Sequence, residues 1–269
     1  MPEIFVVHRR DRQNIGDMAC PPSNHPEHFP WLADATTIDI EHDVPRYADR
    51  LRRAHVIYGG GGLIGTGFFD RQLDHLMSLR PPRLVVWGAG HNNNEDHTIA
   101  DPGYLDRFDL VGLRDRRDTG VHGAGRHEWV PCVSALMPQL DDPGEPEHEV
   151  VAYRHRDQRL PFPSDIGGLP LLTNQHHDLD ETLAFLASGA TVLTNSYHGA
   201  YWATLMNRRV VVVDPFASKF FGFHHAVPIV PGDSWRGALA KARAHPGALA
   251  ECRARVLDFG DRVRRLFGR

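Results

Sequence analysis

The chain has 269 residues, of which 41% are hydrophobic and 24% are charged, a balance typical of globular proteins. Its formal net charge of −4 provides no general basic field, so the usual electrostatic attraction to nucleic acid or to an anionic membrane is excluded. No stretch approaches the ~20 consecutive apolar residues of a transmembrane segment, and the first residues have the pattern of a strand rather than of a signal peptide. We therefore expect a cytoplasmic protein with no transmembrane segment and no nucleic-acid partner.

Three cysteines, Cys20, Cys132 and Cys252, are an odd number and show no Cys-x-x-Cys spacing. This distribution is typical neither of a disulfide framework nor of a zinc site, and it fits a reducing compartment. The 18 histidines are mostly scattered and lack the recurrent i, i+4 spacing of metal-binding helices. The sequence therefore predicts no metal centre.

In the first half, short β-rich runs alternate with helical patterns. Helices are predicted over 47–53 and 70–79. Strands are predicted over 4–7, 36–40, 56–58, 84–87, 110–113 and 128–130, with glycine loops after the third and fourth of them. Strands that are almost continuously apolar and that alternate with helices indicate a parallel sheet covered on both faces.

The segment 139–148, QLDDPGEPEH, is acidic, contains Pro and Gly, and lacks apolar periodicity, so it is the predicted linker. The alternation then restarts, with a helix over 179–187 and strands over 150–153, 171–173, 191–194, 210–213 and 227–230. The tail predicts one or two amphipathic helices, interrupted at Pro246. We expect an α/β protein with two Rossmann-like domains, 1–140 and 147–269, that face each other across a cleft. The carboxyl ends of their strands would line that cleft.

The main candidate residue follows the apolar run 190–193. Thr194, Asn195 and Ser196 are suited to capping a helix start, which places His198 in the first helical turn. Free backbone N–H groups and the helix dipole make such a place an anion site. We predict that His198 is catalytic and that Tyr197 lines the cleft. The alternative is a histidine satisfied by the local backbone.

Further candidates also follow predicted strands. Gly60 and Gly61 belong to a glycine-rich loop whose backbone N–H groups could approach an anion, although a tight turn would need the same glycines. Asn14 and Asp17 could hold a sugar hydroxyl or a phosphate, although, taken alone, they are better explained by an Asx-type turn.

Three cations stand at or after the predicted ends of strands. Arg114 and Arg154 would present guanidinium groups to a carboxylate or phosphate. Lys219 lies in the loop that follows the strand 210–213 and would serve the same purpose. The alternative for each is an ordinary surface cation.

Taken together, these residues resemble the polysaccharide pyruvyl transferase family. The similar parts run in family order over most of the chain: Asn14-Ile15-Gly16-Asp17, Tyr58 to Gly62, Val86 to Gly90, Gly112-Leu113-Arg114-Asp115, and 193–223 with Lys219. The resemblance implies a GT-B-like pair of Rossmann-like domains. It also implies a metal-independent enzyme that moves a pyruvyl group from phosphoenolpyruvate, a co-substrate rather than a cofactor, to two hydroxyls of a sugar or glycan acceptor, forming a cyclic ketal.

By motif position, His198 would be the proton donor. Arg114 and Lys219 would bind phosphoenolpyruvate, with Arg154 and Ser196 beside them. Asn14, Asp17, Gly60 and Gly61 would lie on the acceptor side or serve structurally.

The chain departs from the family pattern at one position, because Ser196-Tyr197-His198 stands where Arg-x-His is usual. Either Arg154 or another arginine compensates, or the donor is not phosphoenolpyruvate. A GT-B glycosyltransferase that uses a nucleotide sugar and a non-catalytic sugar- or phosphate-binding protein are the two alternative functions. The sequence leaves a homo-oligomer open.

Overall fold

The computed structural model describes residues 1–94, 97–99, 102–115, 127–175 and 178–269. Within these ranges the chain forms two parallel β-sheets. The first sheet has the order β2-β1-β3-β5-β6-β7, with β4 paired to β5. Its strands are β1 (Ile4–His8), β2 (Thr36–Asp39), β3 (His55–Tyr58), β4 (Gly61–Ile64), β5 (Arg83–His91), β6 (Leu110–Leu113) and β7 (His127–Trp129).

The second sheet has the order β12-β11-β10-β8-β9. Its strands are β8 (His148–Arg154), β9 (Leu171–Thr173), β10 (Gly189–Thr194), β11 (Arg209–Val213) and β12 (Ile229–Val230). The described helices are α1 (Ile15–Met18), α2 (Ala48–Leu51), α3 (Asp70–Ser78), α4 (Leu179–Ala187), α5 (Tyr197–Leu205), α6 (Trp235–Leu239) and α7 (Ala248–Leu266). The predicted α/β architecture, two Rossmann-like units with parallel sheets, is confirmed. None of these helices combines the length and the apolar character needed to cross a bilayer.

The central strands are buried on both faces, which explains their continuous hydrophobicity. Every residue of β1 and of β3 is buried, as are Val210 to Val213 in β11. Parallel strands covered by helices on both sides cannot show the alternating pattern of a half-exposed sheet. The apolar runs in the sequence therefore predicted these strands to within a few residues.

The two glycine-rich segments that begin at Gly59 and at Gly88 differ from the sequence prediction, which treated both as loops. Gly61 and Gly62 belong to β4 and pair with Ala89 and Gly90 of β5, so β5 continues to His91. The strand continues because Gly88, at φ 65°, absorbs a register shift beside Trp87 that a residue with a Cβ would resist.

Helix α7 lies across both halves of the molecule. Its first turns place Ala248 and Cys252 in an apolar cluster with α5, whereas Phe259 and Val263 pack under the first sheet with Trp87. The break before this helix contains Pro246, as predicted. The division into residues 1–140 and 147–269 stays a prediction, since α7 follows the second sheet in sequence but contributes to the core of the first.

Candidate active site

Each sheet has a topological switch point, where the chain leaves in opposite directions from two adjacent strands. In the first sheet β1 lies between β2 and β3, and in the second β8 lies between β9 and β10. Ligands of open parallel sheets bind outside the carboxyl ends of the strands at such points. The segments after β1 and β8 and after β10 meet in one space, which we call the interdomain cavity.

The interdomain cavity has a volume of about 310 Å³. Its polar lining comes from both halves of the chain: Asp11, Asn14, Asp17, Asn92 and Arg114 from the first, and His155, Arg156, Asn174, Ser196, Tyr197, His198 and Lys219 from the second. Seven residues predicted as site residues are therefore brought together: Asn14, Asp17, Arg114, Ser196, Tyr197, His198 and Lys219.

Helix α5 begins at the cavity as its sequence predicted. Ser196 is the N-cap, with extended backbone angles, and its hydroxyl accepts a hydrogen bond from the backbone N–H of Gly199 at 3.4 Å. The Thr194 hydroxyl accepts from the backbone N–H of Ser196 at 2.9 Å and donates to the carbonyl of Tyr153 at 2.6 Å. The strand end and the helix start are thereby fixed to each other, and the helix dipole points its positive end at the cavity.

The ring of His198 lines the cavity but turns one nitrogen away from it. His198 Nε2 lies 3.3 Å from Cys20 Sγ and 3.8 Å from Cys132 Sγ, and neither cysteine is among the lining residues. Hydrogen bonding from Cys20, and then from His198, lowers the pKa of the Cys132 thiol. On its other side the ring packs on Gly16, where a Cβ would lie 2.2 Å from His198 Nδ1.

Arg114 is a buried cation with spare hydrogen-bonding capacity. Its side chain is 3% exposed, and Nε and one terminal nitrogen have no hydrogen-bond partner among the described residues. The guanidinium lies over the Tyr197 ring, with Cζ 3.7 Å from the ring centroid. Gly90 leaves it room, since a Cβ there would be 2.3 Å from Arg114 Nε. A buried guanidinium with unused donors is suited to an incoming anion.

Lys219 and Asp17 complete the charged groups beside Arg114. Burial, and then the nearby Arg114 charge, lowers the pKa of Lys219 to about 7, while Asp17 opposes the shift. Burial raises the pKa of Asp17 to about 6, against the attraction of His198 and Lys219. Both groups therefore titrate close to neutral pH, as the acids and bases of active sites do.

The predicted glycines have structural reasons for being glycine, which are close packing and a positive φ at Gly60 and a positive φ alone at Gly61. Gly60 has φ +30°, and a Cβ there would lie 2.4 Å from Cys20 Cβ. Gly61 has φ +93° and would meet only Asp17 Oδ1, at 4.0 Å. Neither lines the cavity, whereas Gly62 does. Their role in substrate binding stays a prediction.

Arg154, like Gly60 and Gly61, is a predicted residue that does not line the cavity. It donates to the carbonyl of Gln158 at 2.8 Å and lies 5.8 Å from the Phe162 ring centroid. Arg156, two residues further along, lines the cavity and forms an ion pair with Asp11 across the two halves. Strand β8 ends at Arg154. Whether Arg154 or Arg156 reaches the cavity depends on the path of the following loop, and the strand pattern does not reveal that path.

Several lining residues were missed by the sequence analysis. Asn92 follows β5, and Asn174 follows β9, where its side-chain oxygen accepts from the backbone N–H of Arg156 at 2.6 Å. Burial, and then Lys219 and Arg156, lowers the pKa of His155 to about 4, so this histidine is neutral near pH 7. Asn174 directly follows the predicted strand 171–173 and could have been found from that position, whereas Asn92 follows a strand only because β5 continues to His91.

A second cavity, of about 450 Å³, lies on the other side of α1. It is lined mainly by apolar side chains, among them Ile15, Met18, Met137 and Leu179. It lacks the convergent charges of the interdomain cavity, and we therefore place the candidate active site in the latter.

Comparison with known proteins yields no matching family model and no matching curated protein. Solved structures give distant likenesses. A functionally uncharacterized protein, KP1_0663 from Klebsiella pneumoniae subsp. pneumoniae NTUH-K2044, aligns with a TM-score of 0.44 and 16% identity over 80% of this chain and 84% of that chain.

Two further structures align with lower TM-scores. An α-glucosyltransferase in complex with UDP-glucose and DNA gives a TM-score of 0.38 and 7% identity over 96% of this chain and 94% of that chain. TarM gives 0.36 and 11% over 86% of this chain and 51% of that chain. TM-scores this low support no conclusion about activity. The description of the fold rests on the strands and helices given above.

Proposed function

We propose that the protein is a transferase of the pyruvyl transferase type. It would take a pyruvyl group from phosphoenolpyruvate and place it as a cyclic ketal on two hydroxyls of a sugar or glycan intermediate. The donor carries a carboxylate and a phosphate, so its site needs at least two convergent cationic groups. Phosphate is the leaving group, and the two hydroxyl oxygens of the acceptor become the ketal oxygens.

The observation that carries this proposal is the buried, partly unpaired guanidinium of Arg114 beside Lys219 at the start of α5. Arg114 can bind a carboxylate or phosphate through two parallel N–H groups. Lys219 adds a second positive charge, and the capped helix start adds backbone dipoles. Arg156, although paired with Asp11, brings a further cation to the cavity, which compensates for serine at position 196.

The reaction requires one proton for the methylene carbon of the donor and removal of protons from the attacking hydroxyls. His198 was assigned the proton transfer from sequence, and that assignment stays a prediction. With its Nε2 directed at Cys20 and Cys132, the ring would have to reorient to donate from that atom. Asp17, with a pKa of about 6, also lines the cavity and would not have to reorient in this way.

Ligand-induced thermal stabilisation and phosphate release test the proposal. Phosphoenolpyruvate should raise the melting temperature of the protein, and with a suitable sugar acceptor it should release phosphate. Lys219→Gln should lose the stabilisation, whereas Arg154→Gln, a matched cation outside the cavity, should keep it. The proposal fails if phosphoenolpyruvate neither stabilises the protein nor releases phosphate with any of a broad panel of sugars.

A nucleotide-sugar glycosyltransferase is the second candidate. The observation in its favour is the serine-capped start of α5, which offers backbone N–H groups to a diphosphate without the expected arginine. This function predicts stabilisation by UDP or another nucleoside diphosphate, and hydrolysis of the corresponding sugar nucleotide. Phosphoenolpyruvate would then give no shift.

A further inference from the structure

Three side chains from distant parts of the sequence meet beneath the interdomain cavity. Cys20 follows α1, Cys132 follows β7, and His198 lies in the first turn of α5. Both cysteines are fully buried, and His198 is 8% exposed. We propose that these three residues form a binding site for a thiophilic metal ion, with Zn²⁺ as the expected occupant, that clamps the two halves of the chain together.

The distances within this cluster match the edges of a tetrahedral zinc site. Cys20 Sγ and Cys132 Sγ are 3.8 Å apart, and His198 Nε2 lies 3.3 and 3.8 Å from them. Zn–S bonds of about 2.3 Å and a Zn–N bond of about 2.0 Å at tetrahedral angles give edges of about 3.8 Å between sulfurs and about 3.5 Å from sulfur to nitrogen. One ion can therefore reach all three atoms with little movement of the side chains.

The ligand set is also the right one chemically. Two thiolates and an imidazole are soft and borderline ligands, which favour Zn²⁺ or Cu⁺ over the hard cations Mg²⁺ and Ca²⁺. Binding would displace the thiol protons, including the one that Cys20 now donates to the carbonyl of Gly16 at 2.9 Å. Three protein ligands leave a fourth coordination position, which a water molecule can fill.

Neighbouring residues hold the three metal ligands in position. The Ser134 hydroxyl donates to Cys132 Sγ at 3.2 Å, and Trp202 Nε1 donates to that hydroxyl at 3.0 Å. Gly16 packs directly on the imidazole. Such outer contacts orient metal ligands and are usual around zinc sites.

This inference goes beyond the proposed transferase and departs from the metal-independent enzyme expected from sequence. The metal-independent enzyme was implied by the family resemblance, and the cysteine and histidine spacing likewise predicted no metal centre. The present ligands are separated by 112 and 66 residues, so only folding brings them together. A metal on His198 Nε2 would also exclude that atom from proton transfer.

Cobalt substitution tests the site without any assay of activity. The reduced full-length protein, freed of metal by chelation, should bind one equivalent of Co²⁺ and develop a thiolate-to-cobalt charge-transfer band, which Zn²⁺ then abolishes. The band should disappear in Cys20→Ser and in Cys132→Ser. Cys252→Ser, the matched control at the third buried cysteine, should retain it.

Variants that fail to fold are covered by two further measurements. Zn²⁺ should raise the melting temperature of the wild-type protein, because it binds the folded state. Ser134→Ala should weaken Co²⁺ binding by roughly 10-fold or more while leaving the fold intact. Absence of the charge-transfer band in folded, reduced wild-type protein overturns the proposal, as does its loss in Cys252→Ser. Either result leaves the transferase proposal standing, since that proposal depends on phosphoenolpyruvate binding.

Discussion

Replacing Gly16 by alanine should destabilise the protein and displace His198. Gly16 lies in α1, where alanine is otherwise the better residue by about 1 kcal/mol. However, the new Cβ would be 2.2 Å from His198 Nδ1 and 2.7 Å from Cγ. The ring cannot move aside freely, because Trp202 lies 5.1 Å from it between ring centroids and Cys20 and Cys132 lie at its far edge.

Overpacking of this kind costs about 1–3 kcal/mol, which exceeds the helical gain. We expect Gly16→Ala to lower the free energy of unfolding by up to about 2 kcal/mol in urea titrations, net of the helical gain. Gly237→Ala is the matched control, because Gly237 also lies in a helix, α6, and a Cβ there meets nothing within 4 Å. If both variants unfold at the same urea concentration, the close packing of Gly16 on His198 is wrong.

Four further predictions concern charge. Lys219→Gln should weaken phosphoenolpyruvate binding at pH 6 but much less at pH 8.5, measured by calorimetry, because Lys219, with a pKa of about 7, is charged only at the lower pH. Asp17→Asn should lower kcat by roughly 100-fold or more without weakening donor binding, so an unchanged kcat would exclude Asp17 from proton transfer. Arg114→Lys keeps the charge but loses the planar fork, and should raise the donor Kd roughly 10-fold; an unchanged Kd would contradict a two-point contact. Burial lowers the pKa of His8 from 6.5 to about 4, so the unfolded state binds the proton more readily. The free energy of unfolding should therefore fall by up to about 3 kcal/mol as the pH drops from 6.5 to 4, and His8→Leu should reduce this dependence on pH.

The sheets could be predicted because their apolar strands are buried on both faces. Apolar runs such as 210–213 are stable only when they are buried. The start of α5 could also be predicted, because Ser196 is a typical N-cap residue. The continuation of β5 through Gly88 to His91 could not be predicted in the same way. Glycine is common in turns, and only the pairing with β4 makes these residues a strand.

The candidate site was partly predictable from positions at the end of a strand or at a helix start, although Arg154, the last residue of β8, meets that condition and lies outside the cavity. Asn14, Asp17, Arg114 and His198 satisfy that condition. Arg156 does not, because it lies two residues beyond β8 and is positioned by its pair with Asp11, 145 residues away. Cys20 and Cys132 could not be connected to His198 from sequence for the same reason, since their contacts depend on how the two sheets face each other.

His198 has two proposed roles, proton transfer and metal binding. They exclude each other because both require its Nε2 atom. If Nε2 carries a transferable proton, the thiols serve to orient the ring, and removal of metal should leave turnover unchanged. If Nε2 binds a metal, the imidazole is a fixed ligand, and proton transfer falls to Asp17 on the cavity side of α1. A wild-type enzyme that loses turnover on chelation and regains it with Zn²⁺, while His198→Gln stays inactive in both conditions, would place His198 in the metal site. Full turnover of the chelated enzyme would exclude a metal requirement and leave His198 and Asp17 as the candidates for proton transfer.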